Sequence, residues 1–251
     1  MSFTNKTVWI VGASTGIGAA LAERLADMGA RAVCVSSRSA DKLETVAAAR
    51  PTIRPFPLDV TDRSAVTETC ARIEAEIGPI DVAVFNAGTY APMGLADWEA
   101  DAISRGVAVN YMGVVNGLDA VMPVMRARKS GRIAVTASVA GYRGLPRAVA
   151  YGPTKAALIN LCETLRNELK DDGVTLQLIN PGFVKTPLTD LNEFEMPQLI
   201  TPEEAAKEIA RGLQSTKFEI AFPRPFVWQL MALRMLPYPW FFRLIRGVTG
   251  V

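Results

Sequence analysis

The chain has 251 residues, of which 27 are lysine or arginine, 25 are aspartate or glutamate and none is histidine. An apolar fraction of 49% is ample for a hydrophobic core, and a net charge of +2 is too balanced for an electrostatic nucleic-acid binder. The missing histidine excludes Ser-His-Asp and Cys-His catalysis within the chain and any zinc site that needs imidazole, so we expect no metal site.

Short apolar runs alternate with segments of helical spacing along the chain. Strands are predicted at residues 6–11, 32–36, 53–58, 81–85, 132–137, 174–179 and 219–222. Helices are predicted at residues 16–28, 41–50, 63–77, 98–125 (with a break), 150–169 and 201–213. This alternation, with its short connections, predicts an α/β fold with a doubly wound parallel sheet and helices on both faces.

Cysteine usage and the first residues bear on the cellular compartment. Cys34, Cys70 and Cys162 are far apart and follow no C-x-x-C spacing, as is typical of small core residues. An odd number of cysteines fits a reducing compartment, and residues 1–6 lead into the first strand without the apolar region of a signal peptide. We therefore expect a cytoplasmic protein.

A glycine-rich turn, Gly12-Ala13-Ser14-Thr15-Gly16-Ile17-Gly18, joins the first strand to the first helix. Gly12 permits a tight turn, Gly16 lets the backbone approach a pyrophosphate, and Gly18 allows close packing of helix on strand. The N–H groups that begin the helix can bind the phosphates. The turn predicts a dinucleotide site, and the alternative is an ordinary flexible turn.

The end of the second strand, Ser36-Ser37-Arg38, bears on the choice of cofactor. An acidic residue here would hydrogen-bond the ribose 2′-hydroxyl of NAD, whereas Arg38 can pair with a 2′-phosphate. We therefore expect NADP(H) to be preferred, with NAD(H) still accepted, unless Arg38 is a solvated surface residue. Asp59 and Val60 can bracket the adenine, although Asp59 can equally be a helix cap.

Tyr151 and Lys155 are four residues apart on a predicted helix and so share a face. Ser138 follows the fifth strand, at the sheet edge where ligands bind. The positive charges of a lysine and an oxidised nicotinamide both favour a phenolate, so Tyr151 is the candidate acid or base. Ser138 can donate to the substrate oxygen, and the cofactor carries the hydride.

Together these pieces resemble the short-chain dehydrogenase/reductase family, in its Tyr-x-x-x-Lys branch, over residues 6–222. The matching motifs are Gly12-x-x-x-Gly16-Ile17-Gly18, Asp59-Val60, Asn86-Ala87-Gly88, Asn110, Ser138, Tyr151-x-x-x-Lys155 and Pro181-Gly182-x-Val184-x-Thr186. The resemblance implies a Rossmann-like doubly wound parallel sheet in a single domain, residues 1–222. It also implies an enzyme that transfers hydride between NADP(H) and a ketone, an aldehyde or a secondary alcohol.

The resemblance assigns roles to the residues around the predicted catalytic pair. Tyr151 would give or take the proton, Lys155 would also bind the nicotinamide ribose, and Asn110 would hold a water behind Lys155. The Val184 backbone and Thr186 would hold the carboxamide. The remaining family positions are the Asn86-Ala87-Gly88 support beside the adenine ribose, the Pro181-Gly182 turn, and Arg38 as the NADP-selecting arginine. The basic residue that some NADP-dependent members carry just before Gly16 is replaced by Thr15.

Three segments at the same sheet edge, residues 89–93, 139–145 and 183–199, are expected to wall a small-molecule substrate. Their apolar members are Met93, Leu145, Phe183, Leu188 and Leu191. They suggest a lipophilic or acyl-bearing carbonyl compound, with core packing as the alternative for each residue. We also expect no nucleic-acid partner and a homodimer or homotetramer.

Other functions stay open. A 3-oxoacyl-carrier-protein reductase would use the basic run 126–129 to meet an acidic carrier protein, although a solvated helix end is the preferred interpretation of that run. A catalytically silent NADP-binding sensor or scaffold is an alternative of a different class. A nucleotide-sugar epimerase would use a similar pair, but the chain has little room for its substrate domain.

The segment 223–251 is an apolar, arginine-containing C-terminal extension of the predicted domain. Residues 222–251 carry seven aromatic residues, four arginines and no acidic residue. Its apolar run is too short to span a bilayer. We expect a lid over the substrate mouth or a subunit contact, with a membrane-surface anchor as the alternative.

Overall fold

The structure, a computed structural model, describes residues 2–192 and 194–249 and centres on a parallel sheet. Its strands in the described residues are β1 (Thr7–Val11), β2 (Ala32–Ser36), β3 (Ile53–Pro55), β4 (Val82–Phe85), β5 (Gly131–Thr136), β6 (Val174–Pro181) and β7 (Glu219–Phe222). They lie in the order β3-β2-β1-β4-β5-β6-β7 with every neighbouring pair parallel. The predicted doubly wound sheet is confirmed, and its strand order reverses between β1 and β4, where such sheets bind ligands.

Helices cover both faces of the sheet. The α-helices of the described chain are α1 (Gly16–Asp27), α2 (Ala40–Ala48), α3 (Arg63–Glu76), α4 (Ala100–Gly106), α5 (Gly113–Ala127), α6 (Gly152–Asp171), α7 (Pro202–Leu213), α8 (Arg224–Met235) and α9 (Tyr238–Thr249). The core beneath α3, α5 and α6 contains Trp9 and Phe85, whereas the core beneath α1, α2 and α7 contains Val8 and Val84. Neighbouring strand residues thus point to opposite faces, as expected for a sheet buried on both sides.

The third strand is shorter than predicted, because it ends at Pro55 instead of Leu58. The N–H groups of Phe56 and Leu58 still donate to carbonyls of Val35 and Ser37, at 2.8 and 2.9 Å. Pro57 between them faces away from β2 at the edge of the sheet, where its missing N–H costs no bond to that strand, and both apolar side chains stay buried.

The helical stretch predicted over residues 98–125 is continuous where a break was expected. A π-helical turn, Val107–Met112, follows α4 and leads directly into α5. The stretch Ala100–Ala127 is long and apolar enough, by length and composition alone, to cross a membrane. It buries Val114, Leu118 and Val121 against the sheet, as a core helix does.

The starts of two helices follow from local sequence. Pro153 lies in the first turn of α6, where its missing N–H costs nothing, as predicted. Thr201 caps α7 by accepting the Glu204 N–H at 3.2 Å, while the Glu204 carboxylate accepts the Thr201 N–H at 2.8 Å. This capping box fixes the helix that follows the substrate-side segment.

The C-terminal extension forms two helices, α8 and α9. Phe226 and Val227 of α8 are buried and belong to the core on the α6 side of the sheet. Phe241 of α9 is buried as well. The extension therefore packs against the catalytic fold along one face.

We predict that Gly117→Ala destabilises the fold, because an added Cβ in α5 would overlap the ring of Phe85 on β4. Overpacking of this kind costs about 1–3 kcal/mol of unfolding free energy. Denaturant unfolding measures it, and Gly144→Ala is the matched control, since no described atom lies within 4 Å of the Cβ that it would add. Equal unfolding midpoints for the two variants would contradict the packing described here.

Candidate active site

A cavity of about 390 Å³ opens at the carboxyl edge of the sheet, where the strand order reverses. The predicted residues that line it are Gly12, Ser14, Thr15, Gly16, Ile17, Arg38, Asp59, Val60, Asn86, Ala87, Gly88, Ser138, Tyr151, Lys155, Pro181, Gly182, Val184 and Thr186. Gly18 and Asn110 lie behind the wall and are buried. One cleft therefore brings together segments that are up to 174 residues apart in the chain, from Gly12 to Thr186.

The glycine turn has the tight geometry that its sequence predicts. Gly12 and Gly16 adopt positive φ angles of 89° and 58°, a region that other residues rarely enter. A Cβ on Gly12 would collide with the Ala87 backbone, and one on Gly18 with the Gly12 carbonyl. Side chains at these positions would push α1 and the loop after β4 apart.

The amino end of α1 faces the cavity. Thr15 precedes the helix in an extended conformation, and no side chain among the described residues caps its first N–H groups. The Asn86 side chain donates to the Gly12 carbonyl at 2.8 Å and so joins the turn to the end of β4. The uncapped N–H groups and the helix dipole make this end of the cavity suited to phosphate.

The far end of the cavity, beyond β2, is basic. Arg38, which was predicted from the sequence, lines this end of the cavity. Ser37, Ser39 and Lys42 line it as well, and they were not predicted as site residues. Arg38 and Lys42 are four residues apart across the start of α2, and this spacing was the signal available in the sequence. Both cations reach the wall where a ribose 2′-substituent would lie in a fold of this type.

Asp59 closes a local turn beside this basic end. Its carboxylate accepts from the Thr61 N–H at 2.9 Å and the Thr61 hydroxyl at 2.8 Å. The backbone hydrogen bond is the main cause that lowers the pKa of Asp59, and the charge of Arg38 adds to it. The alternative of a helix cap at Asp59 is wrong, because Asp62 caps α3 by accepting the Ala65 N–H at 3.0 Å.

The predicted catalytic side chains meet where β5 gives way to α6. Tyr151 precedes the first turn of α6, and Lys155 follows one turn later with its Nζ 5.5 Å from the Tyr151 ring centre. Ser138 caps a short 3₁₀ turn after β5 by accepting the Ala140 N–H at 3.1 Å, which fixes its hydroxyl. The hydroxyls of Ser138 and Tyr151 and the ammonium of Lys155 therefore share one wall of the cleft.

The Lys155 ammonium is buried and donates to the Thr136 carbonyl at 2.8 Å. Burial lowers its pKa to about 8. Burial raises the pKa of Tyr151 to about 12, and the Ser138 hydroxyl, which can donate to the phenol oxygen, acts in the opposite direction. The protein's own groups thus leave the pKa of Tyr151 above its ordinary value, and the predicted downward shift depends on the positive charge that an oxidised nicotinamide would add beside the phenol.

Asn110 lies on the π-helical turn behind the catalytic wall. Its side chain accepts the Thr89 N–H at 2.7 Å and donates to the Thr89 carbonyl at 3.0 Å and the Thr154 hydroxyl at 3.1 Å. It therefore holds the loop after β4 against the start of α6, on which Tyr151 and Lys155 stand.

The substrate side differs from the prediction. Of the five apolar residues named from the sequence, Leu188 lines the cavity, whereas Met93 is buried in a small separate cluster and Leu191 is 52% exposed. Phe183 packs edge-on against Phe194, with ring centres 5.7 Å apart. Sequence periodicity could not separate these outcomes, because all five residues lie in irregular segments.

Tyr90 is a site residue that the sequence did not single out, although it falls within the predicted segment 89–93. Its ring meets that of Tyr151 edge-on at 5.2 Å. Its hydroxyl donates to the Asn192 side-chain oxygen at 2.8 Å. Tyr90 thus joins the loops after β4 and β6 directly beside Tyr151.

Comparison with known proteins decides the family. A family model described as short chain dehydrogenase matches residues 6–195. An uncharacterized oxidoreductase of Myxococcus xanthus is 35% identical over 244 residues, covering 94% of each chain. The chain belongs to the short-chain dehydrogenase family.

Solved structures similar to this short-chain dehydrogenase share its fold over most of their length. ElxO with NADP bound has a TM-score of 0.78 at 26% identity, covering 87% of this chain and 98% of that one. A short-chain dehydrogenase from Streptomyces avermitilis has a TM-score of 0.82 at 25% identity, covering 91% and 92%. The family match makes the protein an oxidoreductase, and the first of these structural neighbours binds a nicotinamide cofactor.

The cleft of this dehydrogenase fits such a cofactor. The uncapped start of α1 suits the pyrophosphate. A Cβ on residue 16 would fill the space beside Gly16, since it would lie 2.8 Å from Thr186 Cγ2. Lys155 and Tyr151 line the other end, where hydride transfer would occur.

We predict that Lys155→Met raises the unfolding free energy of the dehydrogenase at pH 7 by about 1–3 kcal/mol, because it removes a buried charge. The unfolded chain keeps the lysine proton up to the ordinary pKa of 10.5, whereas the folded chain loses it near 8. The wild type therefore gains stability as the pH rises between these values, and the advantage of the variant should shrink.

Denaturant unfolding at several pH values measures this effect. Lys217→Met, at an exposed lysine, is the control and should change stability little. A Lys155→Met protein that is less stable than wild type at pH 7 would show that the hydrogen bond to Thr136 outweighs the cost of burying the charge.

Proposed function

We propose that this dehydrogenase uses NADP(H) to interconvert a lipophilic ketone or aldehyde and the corresponding alcohol, with Tyr151 as acid and base. The observation that carries the proposal is the shared wall of Ser138, Tyr151 and Lys155 at one end of a cleft whose other end holds Arg38 and Lys42. A nicotinamide bound in this cleft supplies or accepts the hydride.

The chain's own residues manage the proton. In the reduction, the carbonyl carbon gains a hydride and its oxygen gains the Tyr151 proton, so the phenol becomes a phenolate. Ser138 donates a hydrogen bond to the substrate oxygen as its negative charge develops. The Lys155 ammonium, 5.5 Å from the ring centre, stabilises the phenolate, which then recovers a proton from solvent.

The choice of NADP(H) is supported by two cations and by the absence of a carboxylate at the end of β2. Arg38 offers a planar guanidinium and Lys42 a second positive charge to a 2′-phosphate. Lys42 supplies the second basic group that Thr15 does not provide in the glycine turn.

The preference for a lipophilic substrate is supported by the surroundings of Tyr151. The Tyr90 ring covers one side, and Val109 and Leu188 line the cavity near it. A panel of ketones and aldehydes of increasing chain length, assayed by NADPH oxidation, tests this point. Higher kcat/KM for small polar ketones than for medium-chain or cyclic ones would overturn it.

The carrier-protein reductase is a weaker proposal because its basic run is engaged elsewhere. Arg126 pairs with Asp172 at 2.5 Å, and Arg128 pairs with Glu74 at 2.9 Å. The run begins in the last turn of α5 and precedes β5, so it lies at the amino edge of the sheet, opposite the cleft. A silent sensor is disfavoured because Ser138, Tyr151 and Lys155 are all present.

We predict that Tyr151→Phe lowers kcat by about 10²–10⁴-fold, the usual contribution of a positioned acid or base, while NADPH still binds. NADPH oxidation measures the rate, and quenching of tryptophan fluorescence measures binding. Tyr238→Phe, at an exposed position on α9, is the control. If Tyr151→Phe retains more than about a tenth of the wild-type rate, Tyr151 is not the acid or base.

We predict that Arg38→Ala weakens NADPH binding by about tenfold or more, because it removes a charge-assisted contact to the 2′-phosphate. NADH binding should change little, so the ratio of the two dissociation constants is the measurement. Lys42→Ala should also weaken NADPH binding, but by a smaller factor. Arg105→Ala, at an exposed arginine of α4, is the control, and equal losses for both cofactors would exclude a role in selection.

A further inference from the structure

The two C-terminal helices expose a continuous set of large apolar side chains, here called the outer surface of α8–α9. Trp228, Met231 and Met235 follow one another at spacings of three and four residues along α8, and Trp228 is 65% exposed. On α9, Trp240 is 68% exposed. Phe242 and Leu244 are further exposed apolar residues of α9. Contiguous apolar surface of this kind marks an interaction site.

The opposite side of the two helices is already held by the catalytic fold. Arg143, in the loop after β5, donates to the carbonyls of Arg234 and Leu236 at 2.6 and 2.8 Å. Its guanidinium also lies over the rings of Tyr238 and Phe241, at 4.7 and 4.2 Å from their centres. The inner side therefore contacts the catalytic fold, and these contacts do not account for the outer surface.

The charged side chains of the two helices themselves have one sign. Residues 222–251 contain four arginines and no acidic residue, so the rest of the chain carries a net charge of −2. Arg234, Arg243 and Arg246 are exposed, and none of them joins the ion pairs found among the described residues. Tryptophan, other aromatic rings and arginine together are the composition of interfacial membrane helices.

We propose that the outer surface of α8–α9 docks onto the interface of an anionic lipid bilayer. Each helix has 12 residues and is about 18 Å long, too short to cross the hydrocarbon core, so the pair lies in the plane of the interface. The arginines meet anionic headgroups while the tryptophans enter the acyl boundary. This docking is independent of the proposed function, because it needs neither cofactor nor catalysis.

A second copy of the chain is a poorer occupant on electrostatic grounds. In a twofold dimer, the same patch meets itself. The arginines of two such patches would face each other, and the helices bring no carboxylate to pair with them. A bilayer of anionic lipid supplies the missing negative charge.

The inner side of α8 contacts the segment on the substrate side of the cleft. Phe183 contacts Phe226 of α8 at 5.5 Å and Phe194 at 5.7 Å between ring centres. A bilayer docked on α8–α9 would therefore lie near the segment that walls the cleft. This position favours a carbonyl substrate dissolved in the membrane.

The test is sedimentation of the full chain with vesicles of phosphatidylglycerol and phosphatidylcholine, and with vesicles of phosphatidylcholine alone. We expect binding to the anionic vesicles that weakens as salt is added. Arg243→Gln with Arg246→Gln should weaken it by about tenfold or more. Trp228→Ser with Trp240→Ser should also abolish the blue shift of tryptophan fluorescence that accompanies binding.

Matched controls are Trp98→Ser and Arg63→Gln, at exposed positions on other faces, with thermal unfolding to verify that every variant folds. Both controls should bind like wild type. Absence of binding to anionic vesicles at low salt, or equal binding by the double tryptophan variant, overturns the proposal. A dimer that the tryptophan variant loses in analytical ultracentrifugation also overturns it, because the surface then belongs to a second copy. If the wild-type protein binds the vesicles but does not reduce ketones, only the proposed function is refuted.

Discussion

An ammonium group inside an α/β sheet needs hydrogen-bond acceptors in place of water, and the site is arranged around this need. The Thr136 carbonyl at the end of β5 accepts from Lys155. Gly88 lies beside the ammonium, where a Cβ would be in ordinary van der Waals contact with Nζ at 3.7 Å. Asn110 then fixes the loop that carries Gly88 by binding both backbone groups of Thr89. The identities of these neighbours follow from the burial of one charge.

The sequence predicted the sheet and the cleft where a strong local pattern was present. Apolar runs ending in glycine or proline located the strands, and the glycine turn and the Tyr151/Lys155 spacing located the two ends of the cleft. Both patterns are short, and each is imposed by backbone geometry that few other residues can satisfy.

The features that the sequence did not predict depend on contacts between segments that are distant in the chain. Tyr90 reaches Asn192 across 102 positions, and no periodicity records such a pair. Met93 entered a separate core cluster because Ala102 and Ala150 lie against it. The π-helical turn resembles an ordinary helix in its apolar spacing, so it was not predicted from sequence.

Arg143 links the loop after β5 to α8–α9 through two hydrogen bonds and two ring contacts. Any coupling between two binding sites is thermodynamically reciprocal. A ligand in the cleft that shifted this guanidinium would therefore change the affinity of whatever binds α8–α9, and binding there would change the affinity of the cleft by the same factor. Under the docking proposed above, a single guanidinium group would be the point of contact between the two.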